Sequence, residues 1–366
     1  MLERDLLKKI YINSDEKTLV FTHADKVWVM PECAVEGAME MYQPSSKIGE
    51  HLKKCLIKKH RTPFFARATK LKKANLSLKK EVRKQLEELL GITDFYVAAY
   101  MGDKSTSQND KVVLQIYGDN EIYAYVKVTT DAENTKRFEK ESNAIKELNN
   151  LGINYVSRLI GMDLDSEIKM FAQVNEKPMG QKVKLDFNNQ VLDTVKDIVE
   201  KTTKNIKCKD SDFYKSVEYL KEHLDAFDKD QKSIVEDAIM TVEKEDLTFA
   251  FAHGDYTPWN VYYVKDEMRI FDMEYCSDTM PEFMDAFHYL SQASLLGCRY
   301  TSQCVMREYE RKLDLIREYV TNPKLTFICY LVWIISFYLE RTNDIDSIRE
   351  KLDVWVEMLE YLEKYL

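Results

Sequence analysis

Leu247 to Tyr275 reads LTFAFAHGDYTPWNVYYVKDEMRIFDMEY, and the fold of the chain is predicted outward from this stretch. Its first residues, Leu247 to Ala252, are mostly apolar and lead into the polar loop His253 to Asn260. A second apolar run, Val261 to Val264, follows that loop directly. Apolar runs of this length that flank a polar segment predict two β-strands joined by a loop.

A charged turn, Lys265 to Glu267, predicts that the chain reverses after the second strand. The returning strand is Met268 to Phe271, so Asp272 stands at its end. In a hairpin of this kind Asp272 emerges on the same side as Asp255 and Asn260. The sequence therefore predicts two carboxylates and one carboxamide that converge at one site.

Two carboxylates and a carboxamide suit the transfer of a phosphoryl group. Asp255 would accept or orient the proton of an attacking hydroxyl. Asn260 and Asp272 would hold Mg²⁺, a hard cation that prefers oxygen ligands and bridges nucleotide phosphates. The alternative is a polar loop whose Asp and Asn side chains only cap turns. The strand-loop-strand setting and the second Asp at the end of a hairpin favour phosphoryl transfer.

The order of His253 to Asp255, Asn260 and Asp272 to Glu274 resembles the catalytic segment of the aminoglycoside phosphotransferase and choline kinase group. Phe271 to Tyr275 is more similar to choline and ethanolamine kinases, whereas His-Gly-Asp is more similar to the aminoglycoside branch. The resemblance implies an α+β, protein-kinase-like fold with a small antiparallel-sheet lobe and a large, mainly helical lobe. It also implies transfer of the γ-phosphate of ATP or GTP to a hydroxyl of a small molecule. In that reaction Asp255 is catalytic, and Mg²⁺ binds at Asn260 and Asp272.

Two departures from protein kinases predict a constitutively competent enzyme. Gly254 stands where protein kinases carry an arginine, and no A-P-E segment follows Asp272, so the parts that read an activation-loop phosphate are missing. His253 is expected to brace the loop rather than to transfer protons. Asp285 resembles a second aspartate that this group carries further along the chain. It would brace the catalytic loop, or act as a favourable charge near a helix N-terminus.

Three segments follow from the patterns along the chain: an N-terminal extension over 1–91, a kinase-like small lobe over 92–175 and a helical lobe over 176–366. The extension contains a predicted hairpin, a helix over Ser46 to His60 and a helix that starts near Ser77. The small lobe has predicted strands at Phe95 to Tyr100, Lys111 to Tyr117, Ile122 to Thr130 and Ile168 to Val174. Helical periodicity dominates beyond Asn188, with four helical stretches after the catalytic hairpin.

Nucleotide binding is predicted from the small lobe. Lys127 lies in an apolar strand, where its charge needs a partner, and Glu141 lies on the inward face of the next helix. By the resemblance, Lys127 contacts the nucleotide phosphates with Glu141 as its partner. Asn175 to Pro178 is the expected hinge, whose backbone groups would pair with a purine edge, and Val174 and Glu176 are the nucleotide-binding residues expected there. The loop 101–110 lacks G-x-G-x-x-G, and the hydroxyls at 105–107 are candidates to cover the phosphates.

The phosphate acceptor is expected beside Asp255. Acidic and aromatic side chains that could contact it are Tyr256, Trp259, Glu274, Tyr275, Asp278 and Glu282. Carboxylates pair with ammonium groups and aromatic faces attract quaternary ammonium, so a cationic amine or a sugar fits this set. Choline or ethanolamine, an aminoglycoside and a sugar of a surface polysaccharide all stay open, as does a packing role for Trp259 and Tyr275.

Charge is distributed unevenly in the 366 residues. Lys53 to Lys84 contains thirteen Lys or Arg and one acid, a local charge of +12 that leaves -21 for the rest of a chain with net charge -9. This run is a solvated surface or a contact with an anionic membrane or glycan. No nucleic-acid motif is present, so a nucleic-acid partner is not expected.

Composition is that of a soluble globular protein, 45% hydrophobic and 31% charged. The seven cysteines show no C-x-x-C pair, so neither a disulfide framework nor a zinc site is indicated, and a cytoplasmic location is expected. The N-terminus shows no secretory signal. The apolar run Leu325 to Leu339 is shorter than a membrane span and predicts a buried helix. The rival to the kinase hypothesis is a catalytically silent kinase-like protein that binds an anionic surface.

Overall fold

The computed structural model describes residues 4–23, 25–42, 44, 47–60, 62, 71–102, 111–297 and 301–365. Two compact units are present in the chain. The first, called the sheet unit, comprises Met1–Ile145, Ser157–Lys182 and Tyr263–Lys265. The second, called the helical unit, comprises Lys146–Val156, Val183–Tyr262 and Asp266–Leu366.

The sheet unit is built on one antiparallel sheet of eight strands in the order β3-β1-β2-β4-β5-β6-β8-β7. Its strands are β1 (Tyr11–His23), β2 (Lys26–Pro31), β3 (Lys72–Leu78), β4 (Tyr96–Met101), β5 (Lys111–Tyr117), β6 (Ile122–Thr129), β7 (Leu159–Asp163) and β8 (Lys169–Val174). β2 pairs with β4, with Val27 opposite Met101, so the strands of 1–91 continue the same sheet as those of 92–175.

Helices cover both faces of this sheet. The helices are α1 (Asp5–Ile10), α2 (Val35–Ala38), α3 (Lys47–Lys59), α4 (Lys80–Leu90) and α5 (Ala132–Asn150). One hydrophobic core contains Val82 and Leu86 of α4 together with Leu114 and Val126 of the sheet. A second core contains Leu56 of α3, which packs on the other side. The basic run is therefore divided between two surfaces.

The helical unit contains most of the chain after 183. Its helices are α6 (Asn189–Thr202), α7 (Asp212–Glu222), α8 (Lys229–Lys244), α9 (Met284–Gly297), α10 (Ser302–Arg317), α11 (Pro323–Arg341) and α12 (Arg349–Tyr365). Two short strand pairs accompany these helices: β9 (Phe249–Ala252) with β12 (Ser277–Pro281), and β10 (Val261–Val264) with β11 (Glu267–Ile270), of which Tyr263–Lys265 is counted with the sheet unit. The α+β class, with an antiparallel-sheet part and a mainly helical part, is confirmed.

Local sequence signals located most elements. The strands Lys111–Tyr117 and Val261–Val264 have the predicted bounds, and the turn between β10 and β11 has φ of 49° at Lys265 and 66° at Asp266. Both values are typical of the type I′ turn that favours a tight hairpin. Strands β3, β7 and β12 were not predicted from the sequence. In β3 only Ala74 and Leu76 are buried, and the exposed lysines at its start are typical of a linker, so the sequence gives only a weak strand signal.

Helix α11 accounts for the long apolar run. It has 19 residues and extends beyond both ends of the apolar run Leu325 to Leu339. By length and composition it could cross a membrane, but 61% of its apolar window is buried inside the fold, as is usual for a core helix. Cys33, Cys55, Cys208, Cys276 and Cys329 carry free thiols. Cys304 is disulfide-bonded, which the cysteine spacing did not indicate.

Candidate active site

The loop between β9 and β10 joins the side chains of Asp255 and Asn260. The Nδ2 of Asn260 donates to Asp255 Oδ2 at 2.6 Å and to the Asp255 carbonyl oxygen at 2.9 Å. Asn260 is buried, whereas 29% of the Asp255 side chain is exposed. The amide nitrogen of Asn260 points at Asp255. The amide oxygen, Oδ1, is the acceptor atom of this side chain and the one that could bind a cation.

His253 ties this loop to the end of β11. Its ring is fully buried; Nε2 lies 3.0 Å from the carbonyl oxygen of Phe271, and Nδ1 accepts the backbone N–H of Asp255 at 3.2 Å. These partners require the tautomer in which Nε2 carries the proton. Phe271 N–H also donates to the carbonyl oxygen of Asn260 at 3.1 Å. Asp272 therefore follows a residue that is fixed to both ends of the loop.

Asp285 holds the start of the loop through its backbone. Its Oδ2 accepts the N–H of His253 at 2.6 Å, and its Oδ1 accepts the N–H of Gly254 at 3.1 Å. Burial raises the pKa of this carboxyl, while the nearby His253 and the two backbone hydrogen bonds oppose the rise. Asp285 also lies in the first turn of α9. It therefore both contacts the loop and places a negative charge near a helix N-terminus.

Gly254 permits a close approach of two backbone segments. Its φ is 76°, and a Cβ atom at this position would lie 2.3 Å from the carbonyl oxygen of Tyr275. L-residues with a side chain rarely adopt this φ, and the space beside it is filled by main chain. Position 254 is thus closed to any side chain in this fold.

Asp272 also has a left-handed backbone, with φ of 68°. Positive φ is uncommon outside glycine, although Asp and Asn tolerate it best, and such residues cluster at functional sites. Among the described residues, no group of three or more His, Cys, Asp or Glu side chains could hold a metal. The oxygen atoms of Asn260 and Asp272 suit Mg²⁺, which takes few protein ligands and completes its shell with phosphate and water oxygens.

Lys127 of β6 and Glu141 of α5 meet inside the sheet unit. The Nζ of Lys127 lies 2.6 Å from Glu141 Oε2, and 8% and 0% of the two side chains are exposed. The Lys127 Nζ also lies 5.5 Å from the ring centre of Phe171. Buried charges are costly unless they are paired, so this lysine is held in place by its partner rather than by solvent.

The predicted hinge residues are tied to Arg158. The N–H of Val174 donates to the carbonyl oxygen of Arg158 at 2.9 Å, and the Arg158 Nη2 lies 3.4 Å from Glu176 Oε1. Asn175, between them, donates its N–H to the carbonyl oxygen of Tyr123. The N–H groups of Val174 and Asn175 are therefore both engaged within the sheet unit. The hydroxyls predicted to cover the phosphates, at 105–107, lie outside the described residues.

The residues predicted to contact the acceptor occupy different places. Tyr256 is a core residue, packed against Tyr289 with ring centres 5.7 Å apart. Tyr275 is half-buried and meets Phe337 edge to face at 5.1 Å. Trp259 and Glu274 are half-buried, and Asp278 is exposed.

Glu282 lies at the other end of strand β9 from Asp255. Its N–H donates to the carbonyl oxygen of Thr248, and its Oε1 accepts from the Thr203 hydroxyl at 3.0 Å. Thr248 precedes His253 by five residues, roughly 16 Å along an extended strand. The antiparallel register of β12 on β9 explains the position of Glu282. Ser277 pairs with Ala252 beside the loop, and each later residue of β12 lies farther from the loop.

His288 is a residue of the site that the sequence analysis missed. It is buried in α9, with Nε2 at 3.3 Å from Asp255 Oδ1 and Nδ1 at 3.3 Å from the Tyr330 hydroxyl. The edge of Trp333 packs against its ring at 5.7 Å. The spacing from Asp285 to His288 is three residues, which places both on one helix face, so a helical projection from the predicted bracing residue would have found it.

No protein-family model and no curated protein sequence matches this chain. Its structure is similar to that of choline kinase from Cryptosporidium parvum Iowa II, with a TM-score of 0.48, 12% identity, and coverage of 78% of this chain and 96% of that one. A choline/ethanolamine kinase family protein from Mesorhizobium loti gives a TM-score of 0.46 at 14% identity and covers 78% of this chain and 94% of its own.

The ADP-bound aminoglycoside phosphotransferase APH(2'')-Ib gives a TM-score of 0.44 at 13% identity and covers 78% of this chain and 99% of its own. Choline kinases and aminoglycoside phosphotransferases are the two groups that the catalytic segment resembles. Identities of 12 to 14% show a similarity of structure and transfer no activity to this chain.

Proposed function

We propose that the protein is a Mg²⁺-dependent phosphotransferase that moves the γ-phosphate of ATP or GTP to a hydroxyl of a small molecule. The observation that carries the proposal is the loop of Asp255 and Asn260, joined side chain to side chain and braced by His253 and Asp285. Asp255 is partly exposed, so it can meet an acceptor, whereas the groups around it are buried.

Each polar group of this loop has a place in the reaction. Asp255 orients the acceptor hydroxyl and takes its proton as its oxygen bonds to the γ-phosphorus, while the bond from that phosphorus to the β–γ bridging oxygen breaks and the nucleoside diphosphate leaves. Asn260 and Asp272 would hold Mg²⁺ through oxygen atoms, and the ion would supply positive charge to offset that of the transferred phosphoryl group. In the sheet unit, Lys127 contacts the phosphates and Glu141 fixes its position. The acceptor is an amino alcohol, an aminoglycoside or a sugar.

The rival function is a silent kinase-like binding protein. Silent relatives usually lose the strand lysine, the catalytic aspartate or the metal-binding aspartate, and Lys127, Asp255 and Asp272 are all present here. A ligand that binds only the folded state raises the unfolding temperature in proportion to the logarithm of its concentration. Titration with ATP and with GTP, each with Mg²⁺, is expected to raise it. No shift at millimolar nucleotide would contradict nucleotide binding.

The decisive experiment measures nucleoside-diphosphate release with Mg²⁺ and a panel of amino alcohols, aminoglycosides and sugars. We expect one acceptor class to stimulate release in the wild type and not in Asp272→Ala. Substantial phosphoryl transfer by Asp272→Ala would contradict the metal assignment, since the remaining ligand cannot hold Mg²⁺ against the phosphates. A nucleotide-dependent thermal shift without release for any acceptor would favour the silent protein.

A further inference from the structure

Both oxygen atoms of the Asp255 carboxylate have a side-chain partner, and only one of the two partners belongs to the catalytic loop. Asn260 Nδ2 donates to Oδ2 at 2.6 Å from five residues along the chain. His288 Nε2 faces Oδ1 at 3.3 Å from helix α9. A carboxylate held at both oxygens cannot rotate about its Cβ–Cγ bond without losing a hydrogen bond.

The second nitrogen of His288 determines what the first one does. Nδ1 lies 3.3 Å from the hydroxyl of Tyr330 on α11, and burial raises the pKa of that phenol, so it keeps its proton. A phenol can donate to Nδ1 and a carboxylate can only accept, so both partners are satisfied when the hydrogen of His288 is on Nε2. In that arrangement Nε2 donates to Asp255. The direction of donation is therefore Tyr330 to His288 to Asp255.

Packing leaves His288 little freedom to turn. Its side chain is 6% exposed, and Trp333 meets its ring edge to face with centres 5.7 Å apart. The titratable groups that face it are Asp255 from the loop, Asp285 from its own helix and Tyr330 from α11. An imidazole with two polar partners and an aromatic wall is fixed in both position and tautomer.

We propose that His288 is a positioning residue for the phosphoryl transfer, because it donates from Nε2 to Asp255 Oδ1 and so fixes the carboxylate toward the acceptor hydroxyl. The proposal rests on the proposed function, and it adds a residue that the catalytic segment does not contain. Each carboxylate oxygen has a second lone pair. The acceptor hydroxyl can therefore approach Asp255 while His288 and Asn260 stay bound.

The first test measures the hydrogen bonds directly and needs no turnover. Side-chain ¹⁵N shifts of labelled histidine at pH 8 are compared in the wild type, Asp255→Ala and Tyr330→Phe, with the His288 signals assigned by their loss in His288→Gln. We expect the Nε2–H tautomer in the wild type. Asp255→Ala should move only the Nε2 shift, and Tyr330→Phe only the Nδ1 shift. The Nδ1–H tautomer, or shifts unchanged in both variants, would overturn the proposal.

The second test separates positioning from packing. His288→Leu keeps a similar volume and removes the donor, whereas the amide of His288→Gln can still donate to Asp255. With ATP, Mg²⁺ and the acceptor found by screening, we expect His288→Leu to lower kcat roughly 10- to 100-fold, the range for loss of a hydrogen bond to a charged group. His288→Gln should retain activity within about five-fold, since its amide supplies the same kind of bond.

Equal losses in both variants would assign His288 to packing, and no loss in either would leave it without a role in the reaction. The KM for ATP is the internal control and should change less than about three-fold, because Asp255 binds the acceptor and not the nucleotide. If the wild type turns over no acceptor, the proposed function fails, and the ¹⁵N shifts still decide the contact between His288 and Asp255.

Discussion

The pair of Lys127 and Glu141 in the sheet unit and the network around Asp255 in the helical unit hold their carboxylates by different means. Glu141 is fully buried and is bonded to an opposite charge at 2.6 Å. Asp255 is partly exposed and is bonded to a neutral carboxamide and to an imidazole. Loss of either member of the buried pair leaves an uncompensated charge in the interior, whereas Asp255 stays partly exposed to solvent when one of its neighbours is lost.

The largest effect is expected on the helical side of this comparison, from Asp255→Asn. The substitution keeps the size of the side chain and an oxygen for Asn260 to donate to, but it removes the base. General-base catalysis contributes about 10² to 10⁴-fold, so kcat should fall by that factor. Steady-state release of nucleoside diphosphate measures it. An unfolding temperature close to that of the wild type would show that the loss is chemical.

In the sheet unit, loss of one member of the pair of Lys127 and Glu141 should lower the free energy of unfolding more than it lowers the rate of the reaction. Glu141→Leu leaves the ammonium of Lys127 buried without its partner, which costs about 3 to 5 kcal/mol of unfolding free energy. The matched control is the double variant Lys127→Met with Glu141→Leu, which leaves no buried charge. We expect the double variant to regain most of the stability and to bind ATP poorly. Urea unfolding and ATP titration measure the two properties.

A double variant no more stable than Glu141→Leu would show that packing, not charge, is what Glu141 supplies. Retained ATP affinity in the same protein would remove Lys127 from the nucleotide site. The two readouts are independent, because the first concerns the folded core and the second concerns the ligand.

A smaller effect is expected from the backbone contact under the catalytic loop. Gly254→Ala introduces a Cβ atom that would lie 2.3 Å from a carbonyl oxygen, so the loop must shift. Gly152→Ala is a matched control, since Gly152 has nearly the same φ, 77°, and no atom within 4 Å of the added Cβ. The control should lose only the cost of the left-handed backbone, roughly 1 kcal/mol, and keep its activity.

Gly254→Ala should lose more stability than the control and most of the turnover as well. Thermal unfolding and nucleotide turnover measured side by side check the difference. Equal stability and equal activity in the two variants would contradict the assignment of Gly254 to a close backbone approach.

The smallest effects concern charge on the two surfaces of the sheet unit. Lys54, Lys58 and Lys59 are exposed on α3, whereas Lys53 pairs with Glu40 and Lys73 with Glu32. We propose that any anionic lipid surface contacts the α3 side. Replacing Lys54, Lys58 and Lys59 with Gln should weaken sedimentation with anionic vesicles at low salt, by roughly 1 kcal/mol per lysine.

The matched control replaces Lys72, Lys80 and Lys84, which are exposed outside α3, with Gln. Equal weakening in the two triple variants would mean that net charge alone matters. Absence of wild-type binding at low salt would remove the membrane as a partner, and the basic run would then be a solvated surface.

Sequence patterns were sufficient wherever the signal is local. The run YVKV around Lys127 and the inward face of α5 gave the pair of Lys127 and Glu141, because strand and helix periodicity both act over a few residues. The order of Asp255, Asn260 and Asp272 predicted the loop and hairpin for the same reason.

Contacts set by non-local register were not predictable from the sequence in this way. Glu282 follows the catalytic hairpin closely in sequence, yet the antiparallel pairing of β12 with β9 carries it to the far end of the strand. His288 comes to Asp255 only because Asp285, one turn earlier in α9, is bonded to the loop. Strand β3 gains its place from pairing with β1, and its own sequence alternates too weakly to show it.

Helix α9 reaches the catalytic loop at two places one turn apart, through Asp285 on the backbone and His288 on the Asp255 side chain. A displacement of α9 along its axis would therefore act on the loop at both places. An axial slip of α9 by a single residue, about 1.5 Å, would break hydrogen bonds at both places and turn the base away from its acceptor.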